Sequence, residues 1–244
     1  MKKVVVFSGA GLDRESGVLT FRDCEDGLWN NHKIEDVATK EAWGKDREKV
    51  LNFYNERRRE MPNVKPNKAH EALVRLEEKY KVVNITQNVS DLLERAGASD
   101  IIHLHGELTK ARGSMYHNKT SLLDEVVEIG YNDINIGDKC PTTGSQLRPH
   151  ICWFGEYPYD VDRAYDEVLD ADILIIVGTS LEISYTISML GQLRDKVRSG
   201  ECAFYYVDPN PSEHMGAYGM QPEFIRKPAT EGLSELVEKL LAEE

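Results

Sequence analysis

Short apolar runs that alternate with helix-like stretches constrain the fold of this 244-residue chain more than any other feature. Five such runs, rich in β-branched residues, occupy residues 3–7, 81–85, 101–104, 173–177 and 203–207. Runs of this length that are mostly apolar are typical of strands buried on both faces of a parallel sheet. Amphipathic stretches lie at residues 69–79, 161–169, 187–197 and 233–241. The alternation predicts an α/β fold with a doubly wound, Rossmann-like parallel sheet.

Two segments interrupt this alternation. Residues from about 30 to 66 have a charged, helical pattern, and residues from about 109 to 150 are irregular and rich in glycine, threonine and asparagine. Because neither continues the strand–helix pattern, we expect both to be insertions. We therefore predict a single domain over residues 1–244, with a smaller lobe built from these two insertions.

The charge balance and the cysteines narrow the possible surroundings. The chain has 30 Lys and Arg against 42 Asp and Glu, a formal net charge of −12, whereas binding to a nucleic-acid backbone needs clustered basic residues. No apolar run reaches the roughly 18 to 20 residues that cross a bilayer. The four cysteines have no framework spacing, which favours a reducing setting. We expect a cytoplasmic protein with neither a nucleic acid nor a membrane as partner.

Polar or glycine-rich residues follow four of the predicted strands. In a doubly wound sheet, ligands bind beyond the carboxyl ends of the strands, so these segments should converge on one crevice. A glycine-rich turn there lets a backbone approach a pyrophosphate and offer N–H donors, although short glycine turns are common and such a turn is weak evidence alone. The segments are Gly9-Ala10-Gly11, Thr86-Gln87-Asn88, His105-Gly106 and Gly178-Thr179-Ser180.

The longer motifs around these strand ends resemble the sirtuin (Sir2) family. Five of them follow the family order: Gly9-Ala10-Gly11 with Gly17-Val18-Leu19-Thr20-Phe21-Arg22-Asp23, then Thr86-Gln87-Asn88-Val89, His103-Leu104-His105-Gly106-Glu107, Trp153-Phe154-Gly155-Glu156 and Gly178-Thr179-Ser180-Leu181. They span most of the chain. The resemblance implies a sirtuin-type catalytic domain that uses NAD to remove acyl groups from lysine side chains, yielding nicotinamide and O-acyl-ADP-ribose.

The resemblance also implies a role for each motif. In sirtuins the acyl-lysine carbonyl oxygen displaces nicotinamide, and a histidine then takes a proton from the ribose so that its hydroxyl can attack the intermediate. His105 matches this histidine, and an imidazole that titrates near neutrality suits the task. Asn88 would act with it, and both Asn88 and Gln87 would bond the nicotinamide ribose. His103 is interpreted as structural, facing the sheet layer opposite His105.

The remaining site residues follow from the same resemblance. Phe21 would shield the reactive sugar carbon from water after nicotinamide leaves. Trp153, Phe154 and Gly155 would supply the edge that pairs with an extended peptide. The full predicted set for NAD comprises Gly9, Ala10, Gly11, Phe21, Arg22, Gln87, Asn88, Gly178, Thr179, Ser180, Asp208 and Ala229.

Tyr54 and Arg57 point to the acyl group. They lie three apart on a predicted helix and so share a face. The tract from Asp26 to Arg59 resembles class III sirtuins, in which a Tyr and Arg at this spacing bind the carboxylate of succinyl- or malonyl-lysine. A guanidinium and a phenol can hold a carboxylate in a partly dry pocket. Without the resemblance, residues 57–59 would be interpreted as a solvated basic face.

The chain departs from the family at the usual zinc site. Sirtuins usually hold a structural zinc with two Cys-x-x-Cys pairs, but here Gly113 and Tyr116 stand at the first pair, and Cys140 with Thr143 at the second. A tetrahedral site needs four ligands, which Cys140 and nearby His117 cannot supply. We expect no structural zinc and no metal-ligating residues, so the resemblance implies that residues 109–150 form a degenerate version of the zinc ribbon.

Three departures concern NAD itself. Asp13 and Arg14 stand where the family has Ser and Ala, Ser90 replaces an Asp that helps to order the nicotinamide site, and Asp208 replaces an Asn that contacts the adenosine ribose. The carboxylate of Asp13 would repel a pyrophosphate unless Arg14 pairs with it or the loop turns it outward. Asp91 could substitute at position 90 only if it faced the same way, and adjacent residues point differently. Asp208 can still accept hydrogen bonds from ribose hydroxyls.

The sequence is compatible with three functions. The leading one is an NAD-dependent protein lysine deacylase acting on succinyl or malonyl groups, with acetyl as a further substrate, on acyl-lysine proteins or peptides. The second is NAD hydrolysis or ADP-ribosyl transfer at the same site, against which the peptide-pairing motif argues. The third is a weakly active NAD- or ADP-ribose-binding module, suggested by Asp13, Arg14 and Ser90 and opposed by His105, Asn88 and Phe21. A monomer that recognises flexible lysine-containing segments is expected.

Overall fold

A six-stranded parallel sheet lies at the centre of the computed structural model, which describes residues 1–18, 28–29, 32–114, 126–212, 216 and 219–243. From one edge to the other its strands are β11 (Glu223–Ile225), β10 (Ala203–Val207), β9 (Ile173–Val177), β1 (Lys3–Ser8), β4 (Lys81–Thr86) and β5 (Ile101–His103). The predicted doubly wound sheet and its five strands are confirmed. The short β11, at the edge of the sheet, was not predicted because Glu223 and the partly exposed Phe224 give it no buried apolar run.

Helices cover both faces of this sheet because side chains alternate between them along each strand. Val5 and Phe7 pack on one side with α7 (Val161–Leu169), α8 (Ser184–Leu190) and α9 (Arg194–Ser199). Val4 and Val6 pack on the other with α5 (Lys68–Leu76) and the C-terminal α10 (Ala229–Ala242), together with residues of the short α1 (Gly11–Arg14) and α6 (Leu92–Ala96). None of the helices in the described ranges is long and apolar enough to span a membrane.

The prediction of one helix over residues 187–197 is wrong. Helix α8 ends at Leu190, a 3₁₀ turn follows at Gly191–Leu193, and α9 starts at Arg194. Leu190 and Leu193 are both fully buried. A 3₁₀ turn brings residues three apart onto one side, so it can bury both leucines where glycine already weakens the α-helix.

The insertions surround a third core cluster, which includes Trp43, Phe53, Tyr54, Leu108 and Trp153. At the start of the first insertion, β2 (Leu28–Trp29) pairs antiparallel with β3 (His32–Lys33). The insertion continues with α2 (Ile34–Val37), α3 (Lys40–Lys45), α4 (Arg47–Glu60) and a 3₁₀ turn at Met61–Asn63. An antiparallel sheet consists of β7 (Val126–Glu128), β6 (Gly106–Gly113) and β8 (Leu147–Ile151). The expectation of irregular structure over residues 109–150 was therefore wrong for these strands. Their pattern is hidden because two of their buried positions carry arginine, Arg112 and Arg148, rather than apolar residues.

Candidate active site at the carboxyl ends of the strands

The chain changes direction across the sheet at β1, which pairs with β4 on one side and β9 on the other. The loops after β1 and β9 therefore meet at a topological switch point, where doubly wound sheets bind ligands. The amide of Gly11 donates to the carbonyl of Gly178 at 2.8 Å, and that of Gly9 to the carbonyl of Val177 at 3.1 Å. A Cβ on Gly11 would lie 2.5 Å from Cα of Gly178. These glycines thus let two loops pack closely, and their two amides already have protein partners.

Gln87 and Asn88, predicted to hold the ribose, link the neighbouring strand ends. The side-chain amide of Asn88 donates to the carbonyl of Gly9 at 3.1 Å. The side-chain oxygen of Gln87 accepts a hydrogen bond from the hydroxyl of Thr179 at 2.8 Å. Both side chains are half-buried, and these two hydrogen bonds fix their orientation.

His105 lies at the centre of these loops. Its Nδ1 is 3.0 Å from the carbonyl oxygen of Gln87, which can only accept, so Nδ1 carries the proton and Nε2 keeps its lone pair. Burial lowers the pKa of His105 to about 4, although the Gln87 carbonyl opposes this change. The imidazole is therefore neutral at pH 7, which is the form that a general base needs, but its pKa lies well below the near-neutral range expected from the sequence.

Tyr185 is a site residue that the sequence did not reveal. Its hydroxyl lies 2.8 Å from Nε2 of His105. Burial raises the pKa of Tyr185, so the phenol stays protonated at neutral pH and donates a hydrogen bond to the imidazole. Its place in the first turn of α8, just after the β9 loop, is the one signal that could have indicated it.

His103, predicted to be structural, sits in a hydrogen-bonded arrangement away from His105. Its Nδ1 is 3.0 Å from the carbonyl oxygen of Asn88, and its Nε2 is 2.7 Å from a carboxylate oxygen of Glu94. The ring therefore ties the Asn88 loop to α6 and has both nitrogens engaged.

The other residues predicted to contact NAD are distributed around the same edge. Thr179 is buried and Ser180 half-buried after β9. Asp208, after β10, is buried and accepts a hydrogen bond from the amide of Asn210 at 2.8 Å. Ala229 begins α10, whose next residue, Thr230, bonds the carboxylate of Glu15. Phe21 and Arg22 lie outside the described residues.

Asp13 is turned inward, whereas the sequence suggested a pair with Arg14 or an outward turn of the loop. Its side chain is 5% exposed, and its carboxylate accepts from the hydroxyl of Ser90 at 2.6 Å and contacts Nε2 of His70 at 3.2 Å. Asp91 does not take the place of Ser90, because its carboxylate faces Tyr131 and Arg95 instead. The crevice therefore does not receive the carboxylate of Asp13.

Tyr54 and Arg57 lie on one face of α4, next to the predicted peptide segment. The phenol oxygen of Tyr54 accepts a hydrogen bond from Nε1 of Trp153 at 3.2 Å. The guanidinium of Arg57 lies over the ring of Phe53, 3.5 Å from its centroid, with 11% of the side chain exposed. Burial lowers the pKa of Arg57, although nearby carboxylates oppose this change.

The solvated basic face considered for residues 57–59 is contradicted. Arg58 is fully buried and donates to the carbonyl of Leu108 at 2.7 Å and to the side chain of Asn55 at 2.6 Å. Only Arg59 is exposed, in an ion pair with Asp133. The charge of Arg58 predicts an exposed side chain, so its burial cannot be recognised from the sequence. The burial is possible because the guanidinium joins α4 to β6 by hydrogen bonds.

The segment Trp153–Gly155 is partly buried and partly exposed. The ring of Trp153 is buried, so only the backbone of this residue is available for the predicted pairing with a peptide. Phe154 is 56% exposed, and its amide donates to the carbonyl of Ala38 at 3.0 Å. A buried ion pair supports the segment: Arg148 bonds both oxygens of Glu156, which accepts from the amide of Trp153 at 2.9 Å.

Cys140 and its neighbours form a compact turn. The amide of Cys140 donates to the carbonyl of Ser145 at 2.8 Å, and the Ser145 hydroxyl accepts from the amide of Ser114 at 3.1 Å. Gly113, at another of the usual zinc positions, ends β6, and Tyr116 and His117 lie outside the described residues. Within the described ranges, the one cluster of three possible ligands is Glu94, His103 and Glu107, where His103 already bonds Glu94 and Lys110 pairs with Glu107.

Comparison with known proteins gives concordant results. Residues 9–185 match the Sir2 family. The NAD-dependent protein deacylase of Aggregatibacter actinomycetemcomitans is 47% identical over 208 residues, which cover 85% of this chain and 93% of that protein. The NAD-dependent protein deacylase of Helicobacter pylori strain 26695 is 42% identical over 241 residues, covering 99% and 98%. A crystal structure of a Sir2 homologue in complex with NAD aligns with a TM-score of 0.83 at 36% identity, covering 98% of this chain and 90% of that one.

Proposed function

The chain belongs to the Sir2 family and is an NAD-dependent protein deacylase, and from this premise we propose that it removes succinyl and malonyl groups from lysine in preference to acetyl. NAD supplies the activated ribose that takes up the acyl group, so the products are the unmodified lysine, nicotinamide and O-acyl-ADP-ribose. The proposed substrates are proteins or peptides with an acyl-lysine in a flexible segment, bound by a monomer in the cytoplasm.

The strand-end crevice offers the groups that this reaction needs. In the proposed mechanism, Nε2 of His105 accepts the proton of a ribose hydroxyl, because Nδ1–H is held by the Gln87 carbonyl. Asn88 and Gln87 hold the ribose, with Asn88 as the second catalytic residue. The loops at Gly9–Gly11 and Gly178–Ser180, together with Asp208 and Ala229, surround the rest of NAD. Phe21 and Arg22 complete the proposed set.

The observation that carries the acyl preference is the hydrogen bond between Tyr54 and Trp153. It joins the helix of Arg57 to the segment proposed to bind the peptide. An indole N–H can only donate, so the phenol oxygen of Tyr54 accepts it and keeps its own proton for another acceptor. Arg57, on the same face, adds a guanidinium largely removed from water. A phenol proton and a desolvated guanidinium suit an acyl group that ends in a carboxylate.

The binding-module alternative loses much of its basis. It rested on Asp13, Arg14 and Ser90, and Asp13 and Ser90 are bonded to each other away from the crevice. The second alternative is NAD hydrolysis or ADP-ribosyl transfer, neither of which needs an acyl-lysine peptide. It uses the same His105, so an experiment is needed to distinguish it from deacylation.

The test is a comparison of peptides that differ only in the acyl group. The protein is incubated with NAD and a succinyl-, malonyl- or acetyl-lysine peptide, or none, and mass spectrometry follows nicotinamide and O-acyl-ADP-ribose. We expect peptide-dependent products with kcat/KM higher for succinyl and malonyl than for acetyl. A preference for acetyl would refute the acyl assignment. Nicotinamide release at the same rate with and without peptide would support the hydrolase alternative.

A further inference from the structure

A buried carboxylate joins three segments behind the NAD crevice. Asp13 lies in α1, directly after the glycine-rich loop, whereas Ser90 follows Asn88 by two residues and His70 belongs to α5. All three side chains are almost fully removed from solvent. A buried carboxylate is costly unless its oxygens are hydrogen-bonded, so this arrangement requires a donor at each oxygen.

The two oxygens of Asp13 have separate donors. Oδ2 accepts from the hydroxyl of Ser90 at 2.6 Å, and Oδ1 lies 3.2 Å from Nε2 of His70. The amide of Asn67 donates to Nδ1 of His70 at 3.2 Å, so Nδ1 acts as acceptor and the ring proton resides on Nε2, pointing at Asp13. Asn67 also fixes the loop from its other side, through the carbonyl of Leu12 and the hydroxyl of Ser16.

Two hydrogen bonds therefore connect the glycine-rich loop with the loop of Gln87 and Asn88. At the crevice, Asn88 bonds the carbonyl of Gly9, and behind it Ser90 bonds Asp13. These two contacts are separated by only a few residues on each loop. They fix the rotation of the Asn88 loop as well as its distance from the glycine-rich loop.

We propose that Asp13 and Ser90 are a positioning pair that holds Asn88 against the glycine-rich loop in the geometry that binds NAD. The pair needs one carboxylate and one hydroxyl, and either position can supply either group. The family residues at these positions, a serine and an aspartate, are the same pair in exchanged places. The two sequence departures thus compensate each other. The inference rests on the NAD-binding role of this edge and not on the acyl preference.

The test is an exchange cycle with four proteins: the wild type, Asp13→Ser, Ser90→Asp and the double variant Asp13→Ser/Ser90→Asp. Ser90→Asp sets two carboxylates in contact, so we expect KM for NAD to rise by roughly tenfold or more. Asp13→Ser removes the carboxylate, and we expect a smaller rise, of roughly threefold to tenfold. In the double variant the new hydroxyl at position 13 can accept from His70 and donate to the new carboxylate. We expect its KM to return to within about threefold of the wild type.

Steady-state kinetics, ADP-ribose affinity and thermal stability together distinguish a role in positioning Asn88 from a role in the stability of the whole fold. We expect kcat at saturating NAD to change less than KM, and ADP-ribose affinity measured by calorimetry to follow KM. Calorimetry needs no acyl substrate, so its result stands if the proposed acyl preference fails. Ser199→Ala, which removes an exposed serine–carboxylate bond to Glu201, is the matched control and should leave all values unchanged. A double variant no better than the worse single variant, or single variants that lose thermal stability without losing ADP-ribose affinity, would overturn the proposal.

Discussion

The hydroxyl of Tyr185 lies 2.8 Å from Nε2 of His105, the nitrogen proposed to accept the ribose proton. The imidazole lone pair is therefore already occupied in this structure, and a ribose hydroxyl must take the place of the phenol. A hydrogen bond of this kind contributes about 0.5 to 1.5 kcal/mol net. Breaking this hydrogen bond weakens the binding of NAD, and a variant without the hydroxyl would avoid that loss.

Tyr185→Phe should lower KM for NAD, because the ribose hydroxyl then meets a free lone pair on His105. A net bond energy of about 1 kcal/mol corresponds to a roughly twofold to tenfold change. Steady-state kinetics with NAD as the varied substrate measure it. Tyr165→Phe, on α7, is the control and should behave as the wild type. A fall in kcat with KM unchanged would mean that the phenol takes part in the chemistry instead.

Acidification should destabilise the folded protein through His105. Burial holds the pKa of His105 at about 4, below the ordinary 6.5, so between these values the unfolded chain binds more protons than the folded one. The free energy of unfolding then falls as the pH drops, by about 2 kcal/mol from this residue between pH 7 and pH 5. Urea denaturation at both pH values tests this. Burial lowers the pKa of His150 to about 3, so this residue acts in the same direction. For His105→Asn, the free energy of unfolding should therefore still fall between pH 7 and pH 5, but by less than in the wild type.

Arg57→Met should reduce activity on succinyl-lysine far more than on acetyl-lysine. The methionine keeps packing volume over Phe53 but removes the cation proposed to hold the acyl carboxylate. Loss of a charge-assisted bond in a partly dry pocket corresponds to roughly tenfold to a hundredfold in kcat/KM. Arg59→Met, on the same helix but exposed, is the matched control. Equal losses on both peptides would count against the acyl assignment.

Glu156→Gln should destabilise the protein and weaken peptide binding. It leaves the guanidinium of Arg148, which is fully buried, without its counter-charge. Breaking a buried pair from one side costs about 3 to 5 kcal/mol, measured as the free energy of unfolding in urea. KM for the peptide should also rise, because Glu156 holds the amide of Trp153. Asp195→Asn, in an exposed pair with Arg194, should cost under about 1 kcal/mol. Similar costs for both variants would contradict this account.

The purified protein should contain no stoichiometric zinc, and a chelator should leave its melting temperature unchanged. Hydrogen bonds through Ser145 close the Cys140 turn, where the family usually has metal ligands. Elemental analysis and thermal melts with and without chelator measure both quantities. Ser145→Ala should lower the free energy of unfolding by about 1 kcal/mol. One zinc per chain, or a melt that shifts with chelator, would refute the expectation.

The sequence determined the central sheet because local pattern is enough for it. Mostly apolar runs of about five residues that alternate with amphipathic helices indicate strands covered by helices on both faces, and the carboxyl ends of such parallel strands share one edge. That Gly9, Asn88, His105 and Gly178 lie at this edge could therefore be predicted without the structure, whereas their roles stay predictions. The roles of Tyr54 and Arg57 came from a family resemblance, and they stay predictions.

Only the tertiary structure decided which polar groups meet. Asp13 and Ser90 are 77 residues apart, and each alone looked like a defect, but together they form one buried hydrogen bond. Tyr185 reaches His105 across 80 residues, and Arg58 is buried although charge predicts exposure. Burial and partnership of a polar side chain depend on elements distant in sequence, so periodicity cannot encode them.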